Sequence, residues 1–177
     1  EEPGTGNEIL EGRNILLAED NDLNAEITVT LLEEKGMIVT RAADGKSALT
    51  QFCNTAPGTF DLILMDIMMP EMNGYELTES LRDANYDLPI LMVTAKDQFV
   101  DMQKGFRVGA DDYMIKPINV KELVLRVEAL LRRAKISSDK KITVGSTVLN
   151  YDALTVTING KETILPQKEF YLLYKLL

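Results

Sequence analysis

The sequence predicts an α/β fold in which helices cover both faces of a five-stranded parallel sheet, followed by a short antiparallel β segment and a helix. Two observations support this prediction. Five short apolar runs alternate with five helix-period segments over about 120 residues, which is typical of an α/β domain. The chain then changes to strands of alternating polarity around a typical hairpin sequence. A length of 177 residues allows one domain of ordinary size and part of a second, or two small domains.

The five predicted strands are apolar on both faces, as expected for strands buried in a parallel sheet. They cover residues 13–18, 37–40, 60–65, 89–93 and 112–115. The predicted helices cover residues 22–35, 45–54, 74–84, 98–108 and 119–134. In the last of them, leucine and valine side chains fall on one stripe, so this helix is expected to pack one face on the sheet.

The C-terminal segment has a different pattern. Residues 142–144, 147–149 and 154–158 alternate with period two, and Asn159-Gly160 is a strong hairpin signal that residues 163–165 would complete. Pro166 fits the first turn of a helix that continues to the end of the given sequence. We therefore expect a flexible lead over 1–12, an α/β domain over 13–134, a polar linker over 135–141 and a truncated second domain over 142–177.

Composition excludes several classes of protein. No apolar run approaches the length of a membrane span and no secretory signal is present, so we expect no membrane partner. The chain has no histidine, which excludes histidine-based metal sites and catalytic triads. A single cysteine, Cys53, leaves no internal disulfide and favours a reducing cytoplasm. Without an initiator methionine, the sequence is expected to be a processed or excised piece of a longer protein.

The net charge of −9 is unevenly distributed. Through Lys135 the chain has 14 Lys and Arg against 24 Asp and Glu, whereas from Ile136 onward it has 5 against 4. Such an acidic body repels nucleic acid. Any contact with DNA is therefore expected in the C-terminal segment.

Polar residues follow four of the predicted strands, and the carboxyl ends of parallel strands meet at one edge of a sheet. These residues are Glu19, Asp20, Asp66, Thr94 and Lys116. Each has a simpler explanation by itself: helix-capping acids, a turn-forming aspartate, a strand-end hydroxyl and a surface lysine. Together they favour a common site. Close carboxylates repel by about 4 kcal/mol per pair at an effective dielectric near 20, so either the lysine or a divalent ion such as Mg²⁺ must offset them.

Four sequence blocks, in order and at consistent intervals, resemble the receiver domain of two-component response regulators. The blocks are residues 16–20, 61–74, 93–95 and 109–117. The resemblance covers about residues 13–134 and implies a doubly wound, flavodoxin-like sheet with strand order 2-1-3-4-5. It implies that Asp66 accepts a phosphoryl group from the phosphohistidine of a sensor histidine kinase.

The resemblance also implies a metal site and a switch. Mg²⁺ or Mn²⁺ would be bound by Asp20, Asp66 and the main-chain carbonyl of Met68, while Glu19 would act mainly through water. Phosphoryl transfer depends mostly on positioning and charge neutralisation, which the metal and Lys116 would supply.

In this resemblance Thr94 would move to bind the new phosphoryl oxygen and Tyr113 would turn inward behind it. The peptide bond between Lys116 and Pro117 would be cis. Such a receiver gains and loses its own phosphoryl group, so we expect no turnover of an external substrate.

Regulators that resemble OmpR and PhoB dimerise through the fourth helix, fifth strand and fifth helix. The matching charged positions here are Arg107, Asp111, Asp112, Glu122, Arg126 and Glu128. Met102 replaces the basic partner expected for Glu122, which predicts an unpaired Glu122 and a weaker or differently registered homodimer. An ordinary charged helix surface explains the same residues.

Residues 142–177 resemble the opening sheet and first helix of the winged-helix DNA-binding domain of those regulators. The matching residues are Leu165, Glu169, Phe170, Leu172 and Leu173. The helix that would enter a DNA groove is absent, so DNA binding and transcription regulation are expected only of a full-length parent. Residues 17–26 and 74–78 look more like receivers of hybrid sensor kinases, which suggests a mosaic or an engineered fusion. An ordinary regulator with atypical early helices would give the same pattern.

Three alternatives were considered. A hybrid-kinase receiver would relay phosphate without binding DNA, but residues 142–177 count against it. A flavin-binding redox domain shares the strand–helix alternation, yet Glu19 and Asp20 stand where it needs a phosphate cradle. An aspartyl-phosphate phosphohydrolase expects a second carboxylate two residues after its nucleophile, where this chain has Met68.

Overall fold

The computed structural model describes residues 9–139, 141–150 and 153–176. The chain divides into two compact units, Glu1–Arg132 and Arg133–Leu177. The strands of the first unit are β1 (Asn14–Ala18), β2 (Ile38–Ala42), β3 (Leu62–Met65), β4 (Ile90–Thr94) and β5 (Asp112–Ile115). Its helices are α1 (Asp22–Glu33), α2 (Gly45–Asn54), α3 (Gly74–Asp83), α4 (Phe99–Val108) and α5 (Val120–Asp139), the last of which runs into the second unit.

The sheet of the first unit is parallel throughout and has the order β2-β1-β3-β4-β5, which confirms the predicted fold. Alternate strand residues enter two separate cores because side chains alternate across a sheet. Leu16 and Ile63 join a core under α2, α3 and α4. Ile15 and Leu62 join a core under α1 and α5. The central strands β1, β3 and β4 are therefore buried on both faces, and functional groups there can gather only at the strand ends.

Side-chain caps begin the first three helices close to strand ends. Asn21, Asp44 and Asn73 accept hydrogen bonds from backbone amides of the first turns of α1, α2 and α3. At the start of α3, the carboxylate of Glu76 accepts a hydrogen bond from the Asn73 amide and completes a capping box. Helix α4 ends at Gly109, whose φ of 113° lies in the left-handed region.

Two predicted domain boundaries are wrong. The predicted linker over 135–141 is mostly helix, because α5 continues to Asp139 and the next strand begins at Lys141. No glycine or proline interrupts residues 134–139, so each added residue extends the helix by a backbone hydrogen bond. At the other end, Leu10 is fully buried in the core shared by α1 and α5, so residues 9–12 belong to the fold. The rest of the predicted lead, residues 1–8, lies outside the described residues.

The second unit is an antiparallel sheet with the order β6-β7-β8-β9 and one helix. The elements are β6 (Lys141–Val144), β7 (Thr147–Asn150), β8 (Thr155–Ile158), β9 (Lys161–Ile164) and α6 (Gln167–Leu176). Asn159 and Gly160 both have positive φ, as the predicted tight hairpin requires. Leu149, Val156 and Phe170 form a small core of their own. This arrangement confirms the predicted short antiparallel segment and helix.

Within the described ranges, no helix combines the length and apolar composition that a bilayer crossing demands.

Candidate functional site

Three carboxylates gather at the carboxyl edge of the parallel sheet. Glu19 and Asp20 follow β1 and Asp66 follows β3, and oxygen atoms of the three lie within 4.8 Å of one another. Glu19 and Asp66 are 4% and 7% exposed, whereas Asp20 is open to solvent. A cluster that is buried on one side and open on the other suits a hard divalent ion that keeps several waters.

The ammonium group of Lys116 joins two of these carboxylates. Its Nζ donates to Glu19 Oε2 at 2.7 Å and to Asp66 Oδ2 at 2.8 Å. Burial alone would lower the pKa of Lys116, but its hydrogen bonds to the two carboxylates and their negative charges raise it. Lys116 therefore stays protonated at neutral pH. One ammonium against three carboxylates leaves a negative excess that a divalent cation would neutralise.

Backbone contacts hold Asp66 in place. Its amide donates to the carbonyl of Ala18 at 2.9 Å, and its Oδ1 accepts from the amide of Met68 at 3.1 Å. Helix α3 begins close behind this turn: a Cβ on Gly74 would lie 2.6 Å from the Asp66 carbonyl oxygen. A glycine is therefore required where α3 meets the loop. Met68 is 60% exposed beside the site, and a metal contact through its carbonyl stays a prediction.

Thr94 and Tyr113 lie on neighbouring strands, β4 and β5, where Tyr113 pairs with Met92 and Thr94 pairs with Ile115. Thr94 is fully buried, and its hydroxyl accepts from the amide of Lys96 at 3.4 Å. Tyr113 is 4% exposed, so its ring is already inward in this structure, and its hydroxyl donates to the Lys96 carbonyl at 2.8 Å. Both predicted switch residues thus bind the same loop residue. The bond between Lys116 and Pro117 is cis.

The charged residues predicted for a dimer face pair mainly within the chain. Arg126 contacts Asp112 at 2.9 Å and Glu122 at 2.8 Å, and Arg82 contacts Asp111 at 2.9 Å. The expectation that Glu122 is unpaired is therefore wrong, because Arg126 lies one helical turn away from it. A dimer that used these groups would have to exchange intrachain for interchain contacts.

No hydrogen bond or ion pair joins Arg107 to Glu128, both of which fall within the residues described. These two residues therefore do not pair with each other within one chain. Homodimerisation stays a prediction.

Arg41 is a positioning residue that the sequence analysis missed. Its guanidinium donates to the carbonyl oxygens of Glu19 and Asp20 at 3.1–3.3 Å and contacts Asp22 at 2.7 Å. It thereby holds the backbone that presents two of the three carboxylates. The predicted second strand ended at residue 40, whereas β2 continues to Ala42 and brings Arg41 beside the end of β1.

Tyr75 was also missed. It lies in the first turn of α3, is 6% exposed, and its hydroxyl donates to the carbonyl of Asp101 in α4. An aromatic residue after an Asn-Gly pair carries no signal of this contact, since its partner lies far away in the sequence.

Comparisons with known proteins find related sequences and structures for this chain. A sequence model of the family described as "Response regulator receiver domain" matches residues 15–128. The protein named heme response regulator HssR of Staphylococcus epidermidis is 35% identical over 163 residues, covering 92% of this chain and 71% of that protein. The Staphylococcus aureus protein of the same name is 42% identical over 116 residues, covering 66% of this chain and 51% of its own length.

Solved structures of response regulators also match this chain. The receiver domain of the Francisella response regulator 1452 matches with a TM-score of 0.65 and 34% identity, covering 70% of this chain and 99% of that domain. DrrB of Thermotoga maritima, described as an OmpR/PhoB homolog, matches with a TM-score of 0.59 and 27% identity. That match covers 93% of this chain and 72% of DrrB, so it extends into the second unit.

Proposed function

The chain belongs to the response regulator receiver family, and from this premise we propose that Asp66 is the phosphoacceptor of a Mg²⁺-dependent signalling switch. The observation that carries the proposal is the Lys116 ammonium between Asp66 and Glu19, with Asp20 close to both. These contacts support the proposal because the Asp66 carboxylate lies beside a protonated lysine and two further carboxylates. Membership of the family makes a histidine kinase the expected phosphodonor.

The donor set fits Mg²⁺ or Mn²⁺. Asp20, Asp66 and the Met68 carbonyl would hold the ion directly, and Glu19 through water, because these ions prefer oxygen ligands. When bound, the ion would neutralise charge on the oxygens of the transferred phosphoryl group. Arg41 supports this site from behind by holding the carbonyls of Glu19 and Asp20.

The transfer step needs little chemistry from the protein beyond positioning. An oxygen of the Asp66 carboxylate forms a bond to phosphorus as the P–N bond of the donor phosphohistidine breaks, and the histidine keeps the bonding electron pair. Lys116 already contacts Asp66 Oδ2 and would follow the negative charge onto the phosphoryl oxygens. The Thr94 hydroxyl would then turn from the Lys96 amide to a phosphoryl oxygen.

The output would be a change in the face formed by α4, β5 and α5. Exchange of the Arg126 contacts to Asp112 and Glu122 for contacts to a second copy would favour a homodimer. The match to an OmpR/PhoB homolog over both units supports a DNA-binding output and transcription regulation in the full-length protein. The same match disfavours a purely relaying receiver of a hybrid kinase. We expect no external substrate to be turned over, and a cytoplasmic location.

Incubation with acetyl phosphate and Mg²⁺ tests the proposal. Intact mass should rise by one phosphoryl group in the wild type and in Asp83→Asn, an exposed control at the end of α3. Asp66→Asn should show no gain. Gain of a phosphoryl group by Asp66→Asn, or none by the wild type, would contradict the assignment.

A further inference from the structure

The start of helix α4 is held differently from the starts of α1, α2 and α3. Those three helices each have a side-chain N-cap, whereas Gln98 at the start of α4 makes no such hydrogen bond. Phe99 and Val100 in its first turn are 75% and 67% exposed, so little burial holds them. A helix end without a cap or a packed first turn needs another restraint to stay in one position.

Tyr75, at the start of α3, supplies contacts to α4. Its hydroxyl donates to the backbone carbonyl of Asp101 at 3.1 Å, with the carboxylate of the same residue at 3.4 Å. The ammonium of Lys104 lies 4.4 Å from the centre of the Tyr75 ring, a cation–π contact. A hydroxyl has one hydrogen to donate, so the shorter contact to the carbonyl is the principal hydrogen bond.

The same contacts reach the switch residues. Lys96 contacts the Asp101 carboxylate at 3.2 Å, accepts the Tyr113 hydroxyl through its carbonyl, and donates its amide to Thr94. Movement of Thr94 toward a phosphoryl oxygen would therefore pull on Lys96 and, through Asp101, on the start of α4.

Helix α4 also packs tightly over Tyr113. A Cβ on Gly105 would lie 3.1 Å from the Tyr113 ring and 3.0 Å from the sulfur of Met92. The middle of α4 is thus fixed by close packing, whereas its first turn is held by Tyr75 and by the ion pair between Lys96 and Asp101.

We propose that the Tyr75 hydroxyl is a positioning group that holds the first turn of α4 in the arrangement in which the Thr94 hydroxyl accepts from the Lys96 amide, and so opposes the switch. The inference rests on the proposed function, because the switch it opposes is the one driven by phosphorylation of Asp66. Burial of Tyr75 first, and then the nearby Asp101 carboxylate, raise its pKa, so the phenol remains a hydrogen-bond donor across the neutral range.

Tyr75→Phe is the direct test, because it removes the hydroxyl and keeps the buried ring and its cation–π contact. Tyr86→Phe is the matched control, since Tyr86 is 38% exposed and its ring packs edge-on against Phe52, away from α4. Amide hydrogen exchange is measured by residue in the full given chain, for α4 and for α2 as an internal reference. The rate of phosphoryl uptake from acetyl phosphate with Mg²⁺ is measured by intact mass.

A net hydrogen bond of ordinary strength corresponds to a factor of about five in an equilibrium constant. In Tyr75→Phe, exchange in the first turn of α4 and the initial rate of phosphoryl uptake should both rise about five-fold, with exchange in α2 unchanged. Tyr86→Phe should match the wild type in both. The proposal would be overturned if Tyr75→Phe showed wild-type exchange in α4, or a rate of phosphoryl uptake equal to or slower than that of the wild type. Faster exchange in α2 as well as in α4 would also overturn it. If the wild type itself takes up no phosphoryl group, the proposed function fails, while exchange in α4 still decides whether Tyr75 restrains that helix.

Discussion

Replacement of Lys116 by methionine tests whether the carboxylate cluster depends on a cation. The ammonium lies 2.7 Å from Glu19 Oε2 and 2.8 Å from Asp66 Oδ2, and its side chain is 16% exposed. At an effective dielectric near 20, each contact corresponds to about 6 kcal/mol of gross Coulomb attraction, most of which offsets the cost of burying the charges. Carboxylate oxygens up to 4.8 Å apart then repel by about 3 kcal/mol or more per pair.

Breaking a buried ion pair by removing one partner typically costs about 3–5 kcal/mol. We expect Lys116→Met to lower the free energy of unfolding by about 3 kcal/mol without a divalent ion, because the lysine keeps some solvent exposure. Added Mg²⁺ should stabilise this variant by at least about 1 kcal/mol more than the wild type, since the ion replaces the missing positive charge. Urea unfolding followed by far-UV circular dichroism, with and without Mg²⁺, measures both quantities.

Lys121→Met is the matched control, because Lys121 is exposed on α5 and the side-chain change is the same. It should alter stability by less than about 0.5 kcal/mol and leave the Mg²⁺ increment unchanged. Equal Mg²⁺ increments for Lys116→Met and the wild type would refute the reasoning, because the ion and the lysine would then not act on the same carboxylates.

The difference in free energy of unfolding between the wild type and Lys116→Met should depend on pH in a defined direction. Burial lowers the pKa of Lys116, but the hydrogen bonds and charges of Asp66 and Glu19 outweigh it, so the folded pKa is raised. The stabilisation is fully present below the unfolded lysine pKa, about 10.4, and is lost as pH rises through the higher folded value. The difference between wild type and Lys116→Met should therefore be constant from about pH 7 to 9.

Two further substitutions test how the elements around the site are held. Asp44→Ala removes the N-cap of α2 and should cost about 1 kcal/mol at pH 7 by urea unfolding. Hydrogen bonds from the amide and then the hydroxyl of Ser47 lower the pKa of Asp44, so this cost should fade as pH drops below about 3.8; a cost unchanged at pH 2.5 would contradict it. Gly74→Ala places a Cβ 2.6 Å from the Asp66 carbonyl oxygen and should cost about 1–3 kcal/mol and slow phosphoryl uptake by acetyl phosphate; wild-type stability and rate would contradict the close approach.

The sequence predicted the parallel sheet well because β1, β3 and β4 are buried on both faces and read as continuous apolar runs. The edge strand β2 was placed at 37–40 instead of Ile38–Ala42, since its residues alternate between exposed and partly buried before the buried Ala42. Because the predicted strand ended before Arg41, its position beside the site was not predicted. A polar sequence after Ala134 indicated exposure and not conformation, which is why the end of α5 was mistaken for a linker.

The site residues were predictable where the residue type itself carries the chemistry. Glu19, Asp66 and Lys116 follow strands that end at one edge, so their meeting follows from the fold. The contact from Tyr75 to Asp101 depends on how α3 and α4 pack side by side, which the spacing of residues along the chain does not predict. Nor could the sequence show that Arg126 contacts Asp112 and Glu122 at once, because that requires the register of α5 on β5.

The most direct test of the central claim is to locate the phosphoryl group chemically. Borohydride reduces an aspartyl phosphate to homoserine and leaves free aspartate unchanged. After treatment with acetyl phosphate and Mg²⁺, reduction and peptide mass mapping should find homoserine at position 66 alone and only in the treated sample. Homoserine at Asp20 or at another aspartate, with residue 66 unchanged, would contradict the claim that Asp66 is the phosphoacceptor.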